Sequence, residues 1–169
     1  KTRAIVIYPM NALANSQAKE LEGYLGSATG GLVTYARYTG QESNEDRELI
    51  KANPPDILLT NFMMLELLMT RQSDLDQKVL QNCEGLEFIV LDELHTYRGR
   101  QGADVAMLMR RLRSRIGDPS NPPLCIGTSA TMASEGAQHE KNEAVARIAS
   151  QIFGADIGPD AVVTETLKR

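Results

Sequence analysis

The sequence predicts an α/β fold, a three-layer αβα arrangement around a mostly parallel sheet. Three observations carry that prediction. Short apolar runs rich in strand formers alternate with helical segments along the whole chain. The run Phe88 to Leu91 is apolar at every position, as suits a strand buried on both faces. Each strand-like run gives way to a polar or glycine-bearing turn: Pro9-Met10-Asn11, Thr39-Gly40, Thr60-Asn61, Asp92-Glu93 and Thr128 to Thr131. In a parallel sheet these turns meet along one edge, where open α/β sheets place their ligands.

The elements follow in order. Ala4 to Tyr8 reads as a strand that Pro9 ends, and Asn11 can cap the next helix. Ala14, Ala18, Leu21 and Leu25 fall at helical spacing, with Gly26 as the stop. Leu32 to Tyr38 is a second strand, Glu42 to Ala52 a polar helix stopped by Pro54-Pro55, and Asp56 to Leu59 a third strand. Thr60 or Asn61 can cap a helix through Met69, and Ser73 caps a short one around Leu75, Val79 and Leu80. After the strand Leu86 to Leu91, Ala103 to Ile116 is the clearest helix, with Val105, Leu108, Met109, Leu112 and Ile116 on one stripe. Asp118 to Pro123 is a loop and Leu124 to Gly127 a strand. Glu140 to Phe153 is a helix stopped by Gly154, and Ala161 to Val163 reads as a last short strand.

The chain has 169 residues, enough for one domain, and a net charge of −4, so its overall field does not announce a polyanion partner. Arginines nevertheless crowd the stretch after the acidic pair, from Arg98 to Arg115. Cys83 and Cys125 lie far apart without metal-type spacing, which points to buried free thiols in a reducing, cytoplasmic setting. No run reads as a signal peptide or is long and apolar enough to span a membrane.

The chemistry concentrates at Asp92 and Glu93. Adjacent carboxylates at the end of a buried strand suit phosphoryl transfer: one holds a hydrated magnesium ion, and its neighbour orients and deprotonates water. An acidic loop closing a core strand is the ordinary alternative for such a pair in isolation.

The wider set of motifs resembles a known family. Tyr8 to Gln17 (Tyr-Pro-Met-Asn-Ala-Leu-Ala-Asn-Ser-Gln), Thr39-Gly40, Thr60-Asn61, Asp92 to His95 (Asp-Glu-Leu-His) and Ser129 to Thr131 (Ser-Ala-Thr) occur in the order found in the first RecA-like motor domain of superfamily 2 DEAD/DEAH-type helicases. The acidic box and the Ser-Ala-Thr turn, 36 residues apart (129 minus 93), are the specific pair. The resemblance implies a P-loop NTPase-type RecA-like domain over residues 1–169, with motifs Ia to III, in an ATP-dependent helicase that uses ATP and Mg2+. By the same resemblance Asp92 binds magnesium through water, Glu93 is the general base, and His95 links the ATP site to the Ser-Ala-Thr turn. Ser129, Ala130 and Thr131 couple nucleotide state to movement; a helix cap is the plain alternative for the two hydroxyls. Pro9, Asn11, Ala12, Leu13, Thr39, Gly40, Thr60 and Asn61 are the implied nucleic-acid contacts, with DNA favoured over RNA and ordinary capping as their alternative. Arg98 and Arg100 read equally as phosphate contacts or as a solvated face.

The family's phosphate-gripping loop, Gly-x-x-x-x-Gly-Lys-Ser/Thr, does not occur in these residues, nor does a second motor domain. The expectation is therefore a domain incomplete on its N-terminal side, part of a larger enzyme and inactive as an ATPase by itself. Two other classes stay open. A degenerate motor domain would bind nucleic acid or a partner without turnover, but has no chemical need of both carboxylates. A two-carboxylate magnesium enzyme of another kind, such as a phosphatase, leaves the Ser-Ala-Thr turn unexplained. In RecA-like sheets the strand bearing the phosphate loop lies beside the strand ending in Ser-Ala-Thr. Leu124 to Gly127 is therefore expected to have an unpaired side, to be met by self-association or by the tail around Ala161 to Val163 folding back.

Overall fold

The computed structural model describes residues 1–28, 31–130 and 138–164. Five strands, β1 (Ala4–Tyr8), β2 (Tyr35–Tyr38), β3 (Ile57–Asn61), β4 (Phe88–Leu91) and β5 (Leu124–Gly127), form one sheet in the order β2-β3-β1-β4-β5. Every pairing is parallel. The fold is the α/β, RecA-like arrangement expected. Its helices are α1 (Asn11–Ala28), α2 (Asn44–Ala52), α3 (Phe62–Thr70), α4 (Asp74–Asn82), α5 (Gly99–Ile116) and α6 (Gln138–Phe153).

Connectivity distributes the helices. The crossover from β1 to β2 moves one way along the sheet, and those from β2 to β3, β3 to β4 and β4 to β5 move the other way. A right-handed crossover that reverses direction changes face. Accordingly α1 packs alone on one face, where Ala14 and Ala18 meet Tyr8 and Leu59. The other helices share the opposite face, where Leu65, Leu68, Val79, Leu108 and Leu112 meet Ile5, Ile7, Ile89 and Leu91. The apolar stripe of α5 is buried throughout.

One helix cannot cover a five-stranded face. On the α1 side of β4 and β5, Phe88 is 38% exposed, Leu124 59% and Ile126 39%. Phe88 pairs with Leu124 and Val90 with Ile126, so the uncovered residues form one apolar patch. Among the described residues β5 is also an edge strand.

Several boundaries differ from expectation. Gly26 lies inside α1, which runs to Ala28. Asn11 is within that helix rather than before it. β2 begins only at Tyr35; just before it, Thr34 gives its N–H (2.9 Å) and hydroxyl (2.8 Å) to Asp56. Ser43 and Asp46 form a capping box that starts α2, and Asn61, not Thr60, caps α3 through the Met64 N–H. α5 starts four residues early (103 minus 99), at Gly99 with φ 59°, a backbone that glycine tolerates. The expected strand Ala161 to Val163 is absent. Pro159–Ala161 is a 3-10 turn, and Val163 is 95% exposed with no strand beside it. The tail therefore does not pair with β5 among the described residues.

Four of the five arginines of α5 are spent internally, and Arg100 in its first turn is exposed. Arg110 donates to Gln151 O at 3.0 Å, and Arg113 to Phe153 O at 2.9 Å and Gly154 O at 2.6 Å. They satisfy the carbonyls that end α6. Arg115 donates to Met69 O at 2.9 Å, and Arg111 pairs with Glu66 at 2.5 Å. Cys83 and Cys125 are free thiols, and burial pushes Cys83 up to about 12. No helix among the described residues is long and apolar enough to cross a membrane.

Candidate functional site

Because every strand points the same way, the carboxyl ends line one edge, and the expected site residues gather there. They fall into two groups on either side of β1.

The first group joins the ends of β4 and β5. The Asp92 N–H continues the ladder to Ile7 O at 2.9 Å. Glu93 then turns left-handed, φ 56° and ψ 52°, the sole non-glycine residue with positive φ among those described. Such a conformation costs on the order of 1–2 kcal/mol and persists only where surroundings hold it. Here Thr128 holds it. The Glu93 N–H donates to Thr128 Oγ1 at 3.2 Å and the Leu94 N–H to Thr128 O at 2.8 Å. The same hydroxyl donates onward to Asp92 Oδ1. One threonine thus bonds the Asp92 carboxylate and the Glu93 backbone, a role its place in the Thr128 to Thr131 turn does not announce.

His95 lies beyond, in the 3-10 turn Leu94–Thr96. Its Nδ1 is 3.2 Å from Ser129 Oγ and 3.1 Å from Glu93 Oε2. The ring therefore sits between the acidic pair and the turn after β5. The carboxylate contact has ion-pair distance without hydrogen-bond alignment. Ser129 and Ala130 are exposed, and Thr131 lies outside the described residues. Two buried phenols back the group. Burial, with the Asp92 charge adding to it, pushes Tyr8 up to about 12. Tyr97 is raised by burial first, then by Asp92 and Glu93, and its hydroxyl has no hydrogen-bond partner. Tyr8 opens the Tyr8 to Gln17 motif, and Tyr97 follows the acidic box, but neither phenol is a candidate site residue by sequence.

Asp92 has one oxygen on Thr128 and a side chain open to solvent in part, and Glu93 is 32% exposed beside it. That hard-oxygen donor set fits a magnesium ion held through water, which needs few protein ligands. Among the described residues no three His, Cys, Asp or Glu side chains cluster as a cage for a metal.

The second group joins the ends of β1, β3 and β2. Here α1 and α3 leave adjacent strands for opposite faces, which opens a crevice. Asn61 bridges it: its amide N–H2 donates to Asn11 Oδ1 and, at 3.0 Å, to Thr39 O, while its Oδ1 takes the Met64 N–H at 2.7 Å. Three of the expected contacts are engaged elsewhere. Thr60 is fully buried and gives its hydroxyl to Tyr38 O at 2.7 Å, so it positions the edge from beneath. Thr39 gives its N–H (2.7 Å) and hydroxyl (2.8 Å), and Gly40 its N–H (2.9 Å), to the Glu42 carboxylate. Burial raises the Glu42 carboxyl, but these bonds outweigh it and hold it below its ordinary value. Glu42 carried no motif signal. The surface of the crevice is formed by the exposed Ala12 and Gly40, with Pro9, Asn11 and Leu13 half-buried, and by the exposed Met10 and Met63.

Similarity to known proteins agrees with this geometry. Residues 1–139 match the DEAD/DEAH box helicase family. The Druantia protein DruE of Escherichia coli (strain UMEA 4076-1) is 33% identical over 150 residues, 74% of this chain and 8% of that protein. The ATP-dependent helicase YprA of Bacillus subtilis (strain 168) is 34% identical over 131 residues, 78% of this chain and 17% of that one. This chain therefore spans less than a fifth of either relative. The crystal structure of the DUF1998 helicase MrfA superposes with TM-score 0.74 at 30% identity, over 92% of this chain and 22% of that one. Mycobacterium smegmatis helicase Lhr, solved with ssDNA and AMP-PNP, superposes with TM-score 0.68 at 26% identity, over 86% of this chain and 18% of that one.

Proposed function

The chain belongs to the DEAD/DEAH box helicase family, and from that premise we propose that it is part of the first motor domain of an ATP-dependent DNA helicase or translocase. The observation that carries this reading is the hydrogen-bonded joint between the acidic box and the β5 turn, through Thr128 and the His95–Ser129 contact.

Each residue then has a task. Asp92 holds the hydrated magnesium ion. Glu93, fixed in its left-handed turn, orients the attacking water and takes its proton. Magnesium, when bound, supplies positive charge against the triphosphate. His95 reads the state of that site and passes it to Ser129, Ala130 and Thr131. The nucleic-acid strand lies over the second group, against Pro9, Asn11, Ala12, Leu13 and Gly40, with Thr39, Thr60 and Asn61 shaping the edge. DNA is favoured because MrfA, similar over nearly the whole chain, has been solved bound to DNA. The phosphate loop and a second motor domain belong to the rest of the protein in this reading, and domain limits of 1–169 describe only this portion. A cytoplasmic location accords with the two free thiols.

The test is the full-length protein. Magnesium-dependent ATP hydrolysis is expected, with Glu93→Gln lowering turnover ~100- to 10,000-fold while nucleotide still binds. Ser129→Ala with Thr131→Ala should spare hydrolysis and reduce strand separation. Unchanged turnover in Glu93→Gln removes the assignment of the base, and equal loss of both activities in the double variant removes the coupling role. The non-catalytic alternative, a binding module, requires that the unaltered protein hydrolyse no ATP.

A further inference from the structure

The polar crevice does not end at Asn11 and Asn61. Asn15 lies one turn further along α1, on the same side of the helix as Asn11. Its Oδ1 accepts Arg37 Nη1 at 2.5 Å, and its Nδ2 donates to Gln41 Oε1 at 3.3 Å. Successive turns of one helix thus take partners from two different strand ends, and a polar seam runs from β3 out to the edge strand β2.

Arg37 is the charged member of that seam. Tyr35, two residues earlier, packs on the α1 face, and strand alternation puts Arg37 on the same face. It is exposed, and it forms no ion pair among the described residues. Arg111 and Arg113, by contrast, are spent, on Glu66 and on the end of α6. A neutral amide oxygen uses only part of the guanidinium fork and leaves its charge uncompensated. Holding such a group in one place also costs side-chain entropy, which an external anion can offset.

We propose that Arg37, aimed by Asn15, is a phosphate-binding residue that carries the nucleic-acid track from the crevice across β2. Its ligand is a backbone phosphodiester of a single strand, contacted without regard to sequence. The inference rests on the proposed reading of this edge as a nucleic-acid interface and adds a contact to it.

The experiment uses the full-length protein and a fluorescein-labelled dT20 strand, with anisotropy titrations over a series of KCl concentrations. Arg37→Ala should weaken binding about 3- to 10-fold near 0.1 M salt and reduce the slope of log K against log salt by about 0.7, the release expected for one phosphate of a single strand. Arg37→Lys, which keeps the charge, should restore the slope. Asn15→Ala should weaken binding less and leave the slope unchanged. Arg71→Ala is the control for net charge. Arg71 is exposed beyond the far end of α3, at the opposite edge of the sheet, and should leave both quantities unaltered. An Arg37→Ala protein with the unaltered slope, or an Arg71→Ala protein with the same loss, overturns the inference while leaving the proposed function standing. If the unaltered protein does not bind dT20 in a salt-dependent way, the proposed function falls and this inference with it.

Discussion

Leu94 closes directly over Gly127. A Cβ at Gly127 would lie 2.2 Å from Leu94 Cδ1 and 2.9 Å from its Cγ. The third residue of the acidic box therefore rests on bare backbone at the end of β5, and the two turns can approach closely enough for Thr128 to bond the Asp92 carboxylate and the Glu93 N–H.

This contact makes Gly127 a sensitive point. Gly127→Ala must push Leu94 away, with Glu93 and His95 on either side of it. We expect a loss of about 1–3 kcal/mol in stability, the usual cost of overpacking, together with a fall in ATP turnover in the full-length protein. Denaturant unfolding and a turnover assay check it; wild-type values in both would show that the turn relaxes without consequence.

Tyr97 offers the opposite sign. Its hydroxyl is buried and unpartnered, a state that costs on the order of 1–3 kcal/mol. Tyr97→Phe should therefore be neutral or stabilising by up to about 1–2 kcal/mol. A clear drop in the unfolding midpoint would mean that the hydroxyl has a partner in solution.

Glu42 links the Thr39–Gly40 turn to pH. Its folded carboxyl titrates below the ordinary value, despite burial, because Thr39 and Gly40 donate to the charged form. A depressed group contributes stability above its unfolded pKa, near 4.3, and loses it as pH falls through the lower folded value. Stability curves from about pH 6 down to pH 3 should fall more steeply for the unaltered protein than for Glu42→Gln. Parallel curves would show that the brace contributes nothing in solution.

The uncovered patch at Phe88, Leu124 and Ile126, beside the open edge of β5, predicts behaviour for residues 1–169 produced alone. Self-association is expected, since exposed apolar strand edges pair with further chains. Light scattering over a concentration series should show it, and Ile126→Lys should diminish it. A monomer at all concentrations would mean that the patch is covered within one chain.

Local chemistry was legible before folding. Alternating apolar runs, the α5 stripe, and caps such as Ser73 and Asn61 depend on neighbours a few residues away, and the structure keeps them. The parallel direction of the strands was legible too, since each polar turn already marked a carboxyl end; their order in the sheet was not. What only the tertiary structure decided lies in contacts across tens of residues. Arg110, Arg113 and Arg115 lie mostly off the apolar stripe of α5 and prove to be clamps on distant carbonyls, because helix composition does not say which ends it will meet. Thr39 and Thr60 read, by resemblance, as nucleic-acid contacts and have partners in Glu42 and Tyr38, because burial depends on which strand lies alongside. Ala161 to Val163 reads as a strand by composition and forms none: Pro159–Ala161 is a 3-10 turn, and Val163 stays exposed rather than pairing with the open edge of β5. The acidic box could be named from its residues; its left-handed turn, its Thr128 brace and its seat on Gly127 exist only because β4 and β5 are neighbours.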